Sequence, residues 1–458
     1  MPSSFASLPL VAPLLQAVAE LGYTHLTPIQ EQALPPLLAG LDLIGQSQTG
    51  TGKTVAFALP LLQRLRSERE LQALILCPTR ELCAQVAREV RRLGRHFQGL
   101  RVVELAGGQP LGPQAGTLER GVHVAVGTPG RIIDHLQRGT LDLRNVGTLV
   151  LDEADRMLDM GFTEQVEQII SATPESRQTV LFSATLPPSI VRISAVCQQD
   201  PVQVRIAEPS GVAAIRHVAF PTAPDTRLDT LLAVLAAYRP DSAILFCNLK
   251  VTVAEVADAL TRAGYSADAL HGDLEQFDRD RVMAKFRNQS TRLLVATDVA
   301  ARGIDVAQLD AVINVDLPAQ PEIYVHRVGR TGRAGATGIA VSLATPRDSS
   351  KLARIEALMG VTFETATATA TPPTTSTGTA ATMVTLRIGG GRKDKLRPGD
   401  ILGALTGEGG LTKDDVGRIE THDHHTFVAV SAAVVDRAFA WLQEGRIKAR
   451  RFRVVRVG

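Results

Sequence analysis

Residues 41–54 read Leu41-Asp42-Leu43-Ile44-Gly45-Gln46-Ser47-Gln48-Thr49-Gly50-Thr51-Gly52-Lys53-Thr54. The apolar run Leu41–Ile44 stops in a Gly/Ser/Thr turn, and a helical pattern follows. From Ser47 to Thr54 this strand, loop and helix has the form of a P-loop, with Ser47 where the general pattern has Gly. Glycines let a backbone wrap close to phosphate so that its N–H groups cradle the oxygens. Lys53 would bring a point charge to the β- and γ-phosphates of a nucleotide, and Thr54 a hydroxyl to Mg²⁺. Lys53 is also the only lysine before Lys250 in a chain that otherwise uses arginine. A compact ammonium suits a phosphate cradle where a planar guanidinium fits badly.

Further short apolar runs lie on either side: Leu74–Cys77, Thr148–Leu151, Val180–Phe182, Ala243–Phe246, Leu293–Ala296 and Val312–Val315. Most are apolar on both alternating faces, as buried parallel strands are, and helical stretches such as Glu81–Leu93 and Thr252–Ala263 separate them. The repeating order predicts a doubly wound α/β fold. It divides near residues 205–215 into halves at 1–207 and 212–361. Ligands of open α/β sheets bind at the carboxyl ends of strands. Asp152-Glu153-Ala154-Asp155 stands at such an end, where Asp152 can hold Mg²⁺ and Glu153 can position and deprotonate a water.

Residues 362–382 contain 10 Thr with Ala and Pro, too little to build a core, so they read as a linker spanning roughly 25 Å. Residues 383–458 hold 14 Lys/Arg against 9 Asp/Glu, a net +5, while the other 382 residues hold 35 against 38, a net −3. A basic module thus follows a near-neutral body, which points to a polyanionic partner. Its pattern is β-α-β-β-α-β, with strands at Met383–Ile388, Ile419–His422, Thr426–Val430 and Arg451–Val457 and helices at Pro398–Leu405 and Ala433–Glu444, the order of an RRM-type α+β fold. Cys77, Cys83, Cys197 and Cys247 form no CxxC pair, no apolar run spans a membrane, and no Lys or Arg precedes Lys53 to make a signal peptide. These features predict a cytoplasmic, membrane-free protein.

The acidic tetrad, placed a domain's span beyond a P-loop, resembles the DEAD-box RNA helicases, and the resemblance runs from residue 1 to about 360. It implies two tandem RecA-like domains and an RNA-stimulated ATPase. Gly22-Tyr23 with Thr27-Pro28-Ile29-Gln30 looks like the family's Q motif, which implies that Gln30 and Phe5 select ATP. Ser183-Ala184-Thr185 resembles motif III, which couples hydrolysis to strand separation. Tyr324-Val325-His326-Arg327-Val328-Gly329-Arg330-Thr331-Gly332-Arg333 looks like motif VI, so the resemblance makes Arg330 and Arg333 arginine fingers, and Asp305 a ribose contact. Such fingers are worth about 10³–10⁵ in rate, so hydrolysis would wait for the halves to close.

Pro78-Thr79-Arg80-Glu81, Gly107-Gly108, Thr128-Pro129-Gly130-Arg131 and His271-Gly272-Asp273 with Gln276 and Arg279 match the family's RNA-contacting motifs, and Thr297 belongs with them. Hydroxyls, backbone N–H groups and arginines hold phosphate and sugar without reading bases. The segment Gly389–Leu405 is similar to the DbpA-type RNA-binding domain of a bacterial DEAD-box subfamily that recognises a large-subunit rRNA hairpin. The likeness implies pre-ribosomal particles as partners and ribosome assembly as the role. Arg392, Lys393, Lys395 and Arg397 crowd the loop before a helix, whereas the strand Thr426–Val430 carries Phe427 as its one aromatic, a poor platform for stacking bases. The basic loop is therefore the expected RNA contact. His422, Asp423, His424 and His425 read as a solvated turn rather than a metal site, and Trp441 as core. A monomer is expected, since one chain holds both halves of the ATP site. The alternatives are a general RNA chaperone or mRNA-decay helicase with a nonspecific tether, and an ATP-gated RNA clamp with little catalysis.

Overall fold

A computed structural model describes residues 4–47, 51–206, 215–301, 309–332, 338–366 and 380–457. They form two compact units, the described residues up to 206 and those from 215 on.

The first unit is built on seven parallel strands: β1 (Leu43–Gln46), β2 (Ala73–Leu76), β3 (Val102–Leu105), β4 (Val124–Gly127), β5 (Thr148–Leu151), β6 (Gln178–Ser183) and β7 (Val202–Arg205). Their order across the sheet is β3-β4-β2-β5-β6-β1-β7. Alternate residues of one strand feed separate cores on the two faces: Ala73 and Ile75 pack with Phe57, Val86 and Leu93, while Leu74 and Leu76 pack with Ile132, Met157 and Ile169. This is why the strands read as unbroken apolar runs, each buried leucine contributing about 1.5–3 kcal/mol.

In the second unit β8 (Arg216–Pro221), β9 (Ala243–Phe246), β10 (Ala267–Leu270), β11 (Leu293–Ala296), β12 (Ala311–Asn314), β13 (Ile339–Ala344) and β14 (Glu364–Thr365) lie in the order β10-β11-β9-β12-β13-β8-β14, all parallel. This repeats the first sheet place for place. The doubly wound expectation holds in both. The Thr/Ala/Pro connector begins later than position 362, however. Phe363 packs against His217 and Tyr324, Arg216 pairs with Glu364, and Glu364–Thr365 adds an edge strand to β8. Residues 367–379 lie outside the described residues.

The same unit carries a four-stranded antiparallel sheet, β15 (Met383–Ile388), β16 (Val416–Thr421), β17 (Thr426–Ser431) and β18 (Val454–Val457), ordered β16-β17-β15-β18. One face, with Leu386, Ile388, Val428 and Val430, is covered by the helices Pro398–Thr406 and Val435–Glu444. Trp441 packs half-buried at the margin of this core. The opposite face is not open. Register places Glu420, Phe427 and Arg387 side by side there, with Thr385 and Ala429 beyond. That face seats on the helix Gln276–Arg287 and the turn after it. Arg287 pairs bidentately with Glu420 (2.8 and 2.5 Å), and Asn288 Nδ2 donates to Thr385 Oγ1 (2.9 Å), which donates to Ser290 Oγ (2.8 Å). The Phe277 ring meets His425 edge-on at 5.2 Å and lies under Arg387 at 5.3 Å.

His422 and His425 stack at 4.6 Å and both pack on Phe427, so these two imidazoles belong to the seat rather than to a solvated turn; Asp423 and His424 remain exposed. Burial lowers the pKa of both, His425 to about 4. Among the described residues no cluster of three His, Cys, Asp or Glu side chains could hold a metal ion, and no helix is long and apolar enough to cross a membrane.

Candidate ATP and RNA sites

In the first unit the order β3-β4-β2-β5-β6-β1 sorts the sequence motifs along one carboxyl edge. The loops after β5, β6 and β1 carry the acidic tetrad, Ser183-Ala184-Thr185 and the P-loop. The loops after β3, β4 and β2 carry Gly107-Gly108, Thr128–Arg131 and Thr79-Arg80. The chain interleaves these motifs, and the sheet separates them into adjacent halves.

In the first half Lys53, 6% exposed, opens the helix Lys53–Gln63 with Thr54 beside it, and its Nζ donates to Ser47 O at 2.8 Å. Ser47 Oγ and Thr51 Oγ1 are 3.1 Å apart. Gln30 is tied to the same loop: its Nε2 donates to Gly52 O (3.1 Å), its Oε1 accepts from Thr27 N (2.9 Å), and Thr27 Oγ1 donates to Thr51 O (2.7 Å). Phe5 is buried, stacked on Tyr23 at 6.2 Å. Gln48, Thr49 and Gly50 lie outside the described residues.

Asp152, Glu153 and Asp155 are all buried at the end of β5. Desolvation pushes the Asp152 carboxyl up to about 7; the Lys53 ammonium opposes this and Glu153 adds to it. Crowded buried negative charge of this kind, with the Thr54 hydroxyl on the same edge, fits a divalent cation such as Mg²⁺. Glu153 sits in the left-handed region (φ 52, ψ 51), 3.3 Å from Arg156, a conformation that costs an L side chain about 1–2 kcal/mol and holds the carboxylate at the helix start. Asp155 Oδ2 accepts from Ala184 N (3.2 Å), Thr185 N (2.9 Å) and Thr185 Oγ1 (2.9 Å). The last acid of the tetrad therefore holds the motif that follows β6, a role that adjacency in sequence does not reveal.

In the second half Thr79 Oγ1 caps the helix Arg80–Leu93 through Leu82 N (3.2 Å). Arg80 is exposed and lies over the next loop: a Cβ at Gly108 (φ +80) would come 1.9 Å from its Nη1. Thr128 stands at the N-terminus of the helix Pro129–Gln137. Arg131 turns inward, its side chain 10% exposed, and Nη1 donates to Gln109 O (3.0 Å) and Gln114 Oε1 (2.7 Å).

In the second unit β10 and β11 are neighbours, so the loops bearing His271-Gly272-Asp273 and Thr297 adjoin. Lys250 pairs with Asp273 (2.6 Å), Arg279 Nη2 donates to Ala300 O (3.3 Å), and Thr297 Oγ1 accepts from Ala300 N (3.4 Å). Arg327, unassigned in the sequence, is 1% exposed. It binds Asp298 through two 2.7 Å bonds and also reaches Asn314 Oδ1, Asp316 O and Asn248 Oδ1. Fully buried, it ties the loops after β9, β11 and β12 to the segment that leads into Arg330, which is itself buried. Arg333 and Asp305 lie outside the described residues.

In the C-terminal module Arg392, Lys393, Lys395 and Arg397 are exposed on one loop. Leu396, 2% exposed, anchors that loop in the core. Gly391 presses on the turn after β16, where a Cβ would meet His422 O at 2.3 Å, and the N–H groups of Arg392 and Lys393 donate to His422 O and Asp423 O. Lys448 Nζ, bonded to Asp400 (2.8 Å) and Lys395 O (3.2 Å), fastens the other side. The basic side chains thus stand on a rigid loop.

Comparison with known proteins agrees with this arrangement. Residues 27–193 match the DEAD/DEAH box helicase model, 226–335 the helicase conserved C-terminal domain and 385–456 the DbpA RNA binding domain. The chain is 46% identical over 456 residues to the ATP-dependent RNA helicase DbpA of Escherichia coli, covering 99% of both. It is 45% identical over 356 residues to the helicase CshA of Bacillus cereus, covering 77% of this chain and 68% of that protein. Among solved structures, Saccharomyces cerevisiae Dbp5 bound to RNA and ADP BeF3 matches with TM-score 0.72 at 31% identity, over 80% of this chain and 96% of that one. The chain belongs to the DEAD-box ATP-dependent RNA helicases, RNA-stimulated ATPases, and carries a DbpA-type RNA-binding domain.

Proposed function

We propose that this helicase remodels structured RNA of the large ribosomal subunit during assembly, in the cytoplasm and as a monomer, with the 383–458 module gripping an rRNA hairpin of pre-ribosomal particles. The observation that carries the reading is the rigid loop presenting Arg392, Lys393, Lys395 and Arg397, on a module whose sheet face is already occupied. The hairpin is then held through phosphates by the loop rather than by stacking on the sheet.

In this reading Gln30 and Phe5 select the base, and Lys53 with the P-loop holds the phosphates. Thr54 and Asp152 would hold Mg²⁺, which when bound supplies the positive charge that neutralises phosphate oxygens. Glu153 orients and deprotonates the attacking water, while Arg330 and Arg333 supply charge to the γ-phosphate when the two units close on RNA. Thr79, Arg80, Gly108, Thr128, Gly272, Arg279 and Thr297 hold the RNA backbone, while Arg131, turned inward onto Gln109 O and Gln114 Oε1, braces them from beneath rather than touching RNA itself.

The test is ATPase activity with an rRNA hairpin fragment against poly(A), for the full chain and for a variant with Arg392, Lys393, Lys395 and Arg397 changed to Ala. A truncation would bare Phe277 and Arg287, so the charge variant is the cleaner control. The expected result is hairpin-selective stimulation that the variant loses, with a log–log salt slope of hairpin binding shallower by about 2–3. Equal stimulation by both RNAs in both proteins would leave a general RNA chaperone.

A further inference from the structure

The helix Leu111–Glu119 lies between the Gly107-Gly108 loop and the Thr128–Arg131 turn. Among its nine residues only Gln114 is buried, at 5% exposure. A helix normally covers an apolar stripe, and a buried amide costs about 1–3 kcal/mol unless its hydrogen bonds are made. Here they are made, each to a different part of the RNA-facing edge. Nε2 donates to Ala106 O (3.1 Å), the residue before Gly107. Oε1 accepts from Arg131 Nη1 (2.7 Å) and from His135 Nε2 (3.1 Å), on the helix that Thr128 opens. Arg131 Nη1 also returns to Gln109 O, just beyond Gly108 (3.0 Å).

His135 is fully buried, and its Nδ1 lies 2.8 Å from Thr140 Oγ1. An amide oxygen can only accept, so the imidazole proton is on Nε2 and Nδ1 is the acceptor; the one Thr140 hydroxyl proton faces both Nδ1, at the shorter distance, and His135 O (3.2 Å). Burial keeps this imidazole neutral, as that tautomer requires. A chain of bonds therefore runs Thr140, His135, Gln114, and there forks to Ala106 and Arg131.

We propose that Gln114 is a positioning residue for RNA binding: it locks the loops after β3 and β4 into one mutual arrangement, so that the backbone N–H groups and the Thr128 hydroxyl meet RNA phosphates together. This rests on the reading of those loops as RNA contacts. In it Arg131 acts from beneath the edge, as the clasp between Gln114 and Gln109 O.

The test is RNA-stimulated ATPase with poly(A), read as the RNA concentration for half-maximal stimulation, the rate at saturating RNA and KM for ATP. Gln114→Met keeps the bulk and removes the polar ends. The half-saturating RNA concentration should rise about tenfold, with the saturated rate and KM for ATP within about twofold. Gln114→Glu keeps both acceptor bonds, with Arg131 now facing a charge, but sets its second oxygen against Ala106 O, so it should recover only part of the affinity, to within about fivefold of the parent. A merely structural role would instead lower the saturated rate and raise KM for ATP alongside. An unchanged RNA requirement in Gln114→Met, or an equal change in KM for ATP, overturns the inference. Should Gln114→Met not fold, Thr140→Val at the far end of the chain should still raise the RNA requirement about twofold to threefold, and no change overturns the inference. Arg80→Ala is measured alongside: if it too leaves RNA binding unchanged, the RNA-contact reading itself falls, whereas a shift in Arg80→Ala alone removes only the role of Gln114.

Discussion

Asp155→Asn tests how the acidic tetrad is joined to the motif after β6. Asp155 is 3% exposed; its Oδ2 receives the Ala184 N–H, the Thr185 N–H and the Thr185 hydroxyl, and its Oδ1 receives the Arg156 N–H at 3.0 Å. An asparagine has one acceptor oxygen. Turned toward the three donors, its NH2 group opposes the Arg156 N–H; turned the other way, it opposes the Ala184 and Thr185 N–H groups and leaves only the rotatable Thr185 hydroxyl able to adapt. In the better orientation three bonds lose charge assistance, about 1 kcal/mol each, and the fourth is lost for about 1 kcal/mol more. The local loss is about 3–4 kcal/mol, with no solvent screening to reduce it, or roughly 10²–10³ in the local opening equilibrium. Amide hydrogen exchange at Ala184 and Thr185 should accelerate by about that factor. Alongside it, RNA-stimulated hydrolysis should continue while more ATP is consumed per duplex separated. Exchange within about threefold of the parent, with an unchanged ratio of hydrolysis to unwinding, would refute the linkage.

Three further outcomes are expected. Glu153→Gln should retain ATP-dependent RNA binding and lose turnover; near-normal ATPase activity would remove Glu153 from the site. A double-mutant cycle of Arg287→Ala and Glu420→Ala, read by denaturant-induced undocking of the module, should give a coupling of about 1.5–3 kcal/mol, because the pair is bidentate and its side chains are only 19% and 13% exposed; a coupling near zero would show that the seat is held by its other contacts. The seat should also weaken in acid. His425 is held at about 4 against an ordinary 6.5, chiefly by burial and secondarily by the His422 ring, with Arg387 and His424 adding and Asp280 opposing. The undocked form therefore binds more protons between those values, so stability is complete above about pH 6.5 and falls toward pH 4. Thermal unfolding of the module followed through Trp441 should show this slope in the parent and a clearly shallower one in His425→Phe, where the buried His422 still contributes in the same direction.

Strands with a double-sided apolar run, such as Thr148–Leu151 and Leu293–Ala296, are readable because burial on both faces leaves one continuous pattern. β3 and β10 are not, since as edge strands they are only partly covered and carry Glu104 and Asp268. The P-loop and the tetrad are legible because phosphate and metal chemistry demands those residue types at close spacing. Gln114, Asp155 and Arg327 act through partners 8 to 79 positions away in the chain, and nothing in the local pattern marks them. Nor does the sequence give the strand order that sets RNA loops beside one another, or the second use of Phe427, whose isolation marks a docking surface rather than a weak stacking platform.

A module on a free tether would present its target to the helicase over a spread of distances, and lengthening the tether would dilute it. With its sheet face seated on the 276–287 helix, the basic loop instead stands at one fixed interval from Gly272, Arg279 and Thr297 in the same unit. If the basic loop grips RNA as proposed, the pairing would act as a ruler, favouring RNAs in which the gripped element and the remodelled strand are correctly spaced. It also means that the module is not portable. Grafted onto a helicase whose corresponding helix lacks Phe277, Arg287 and Asn288, it would keep its affinity for RNA and lose its calibration.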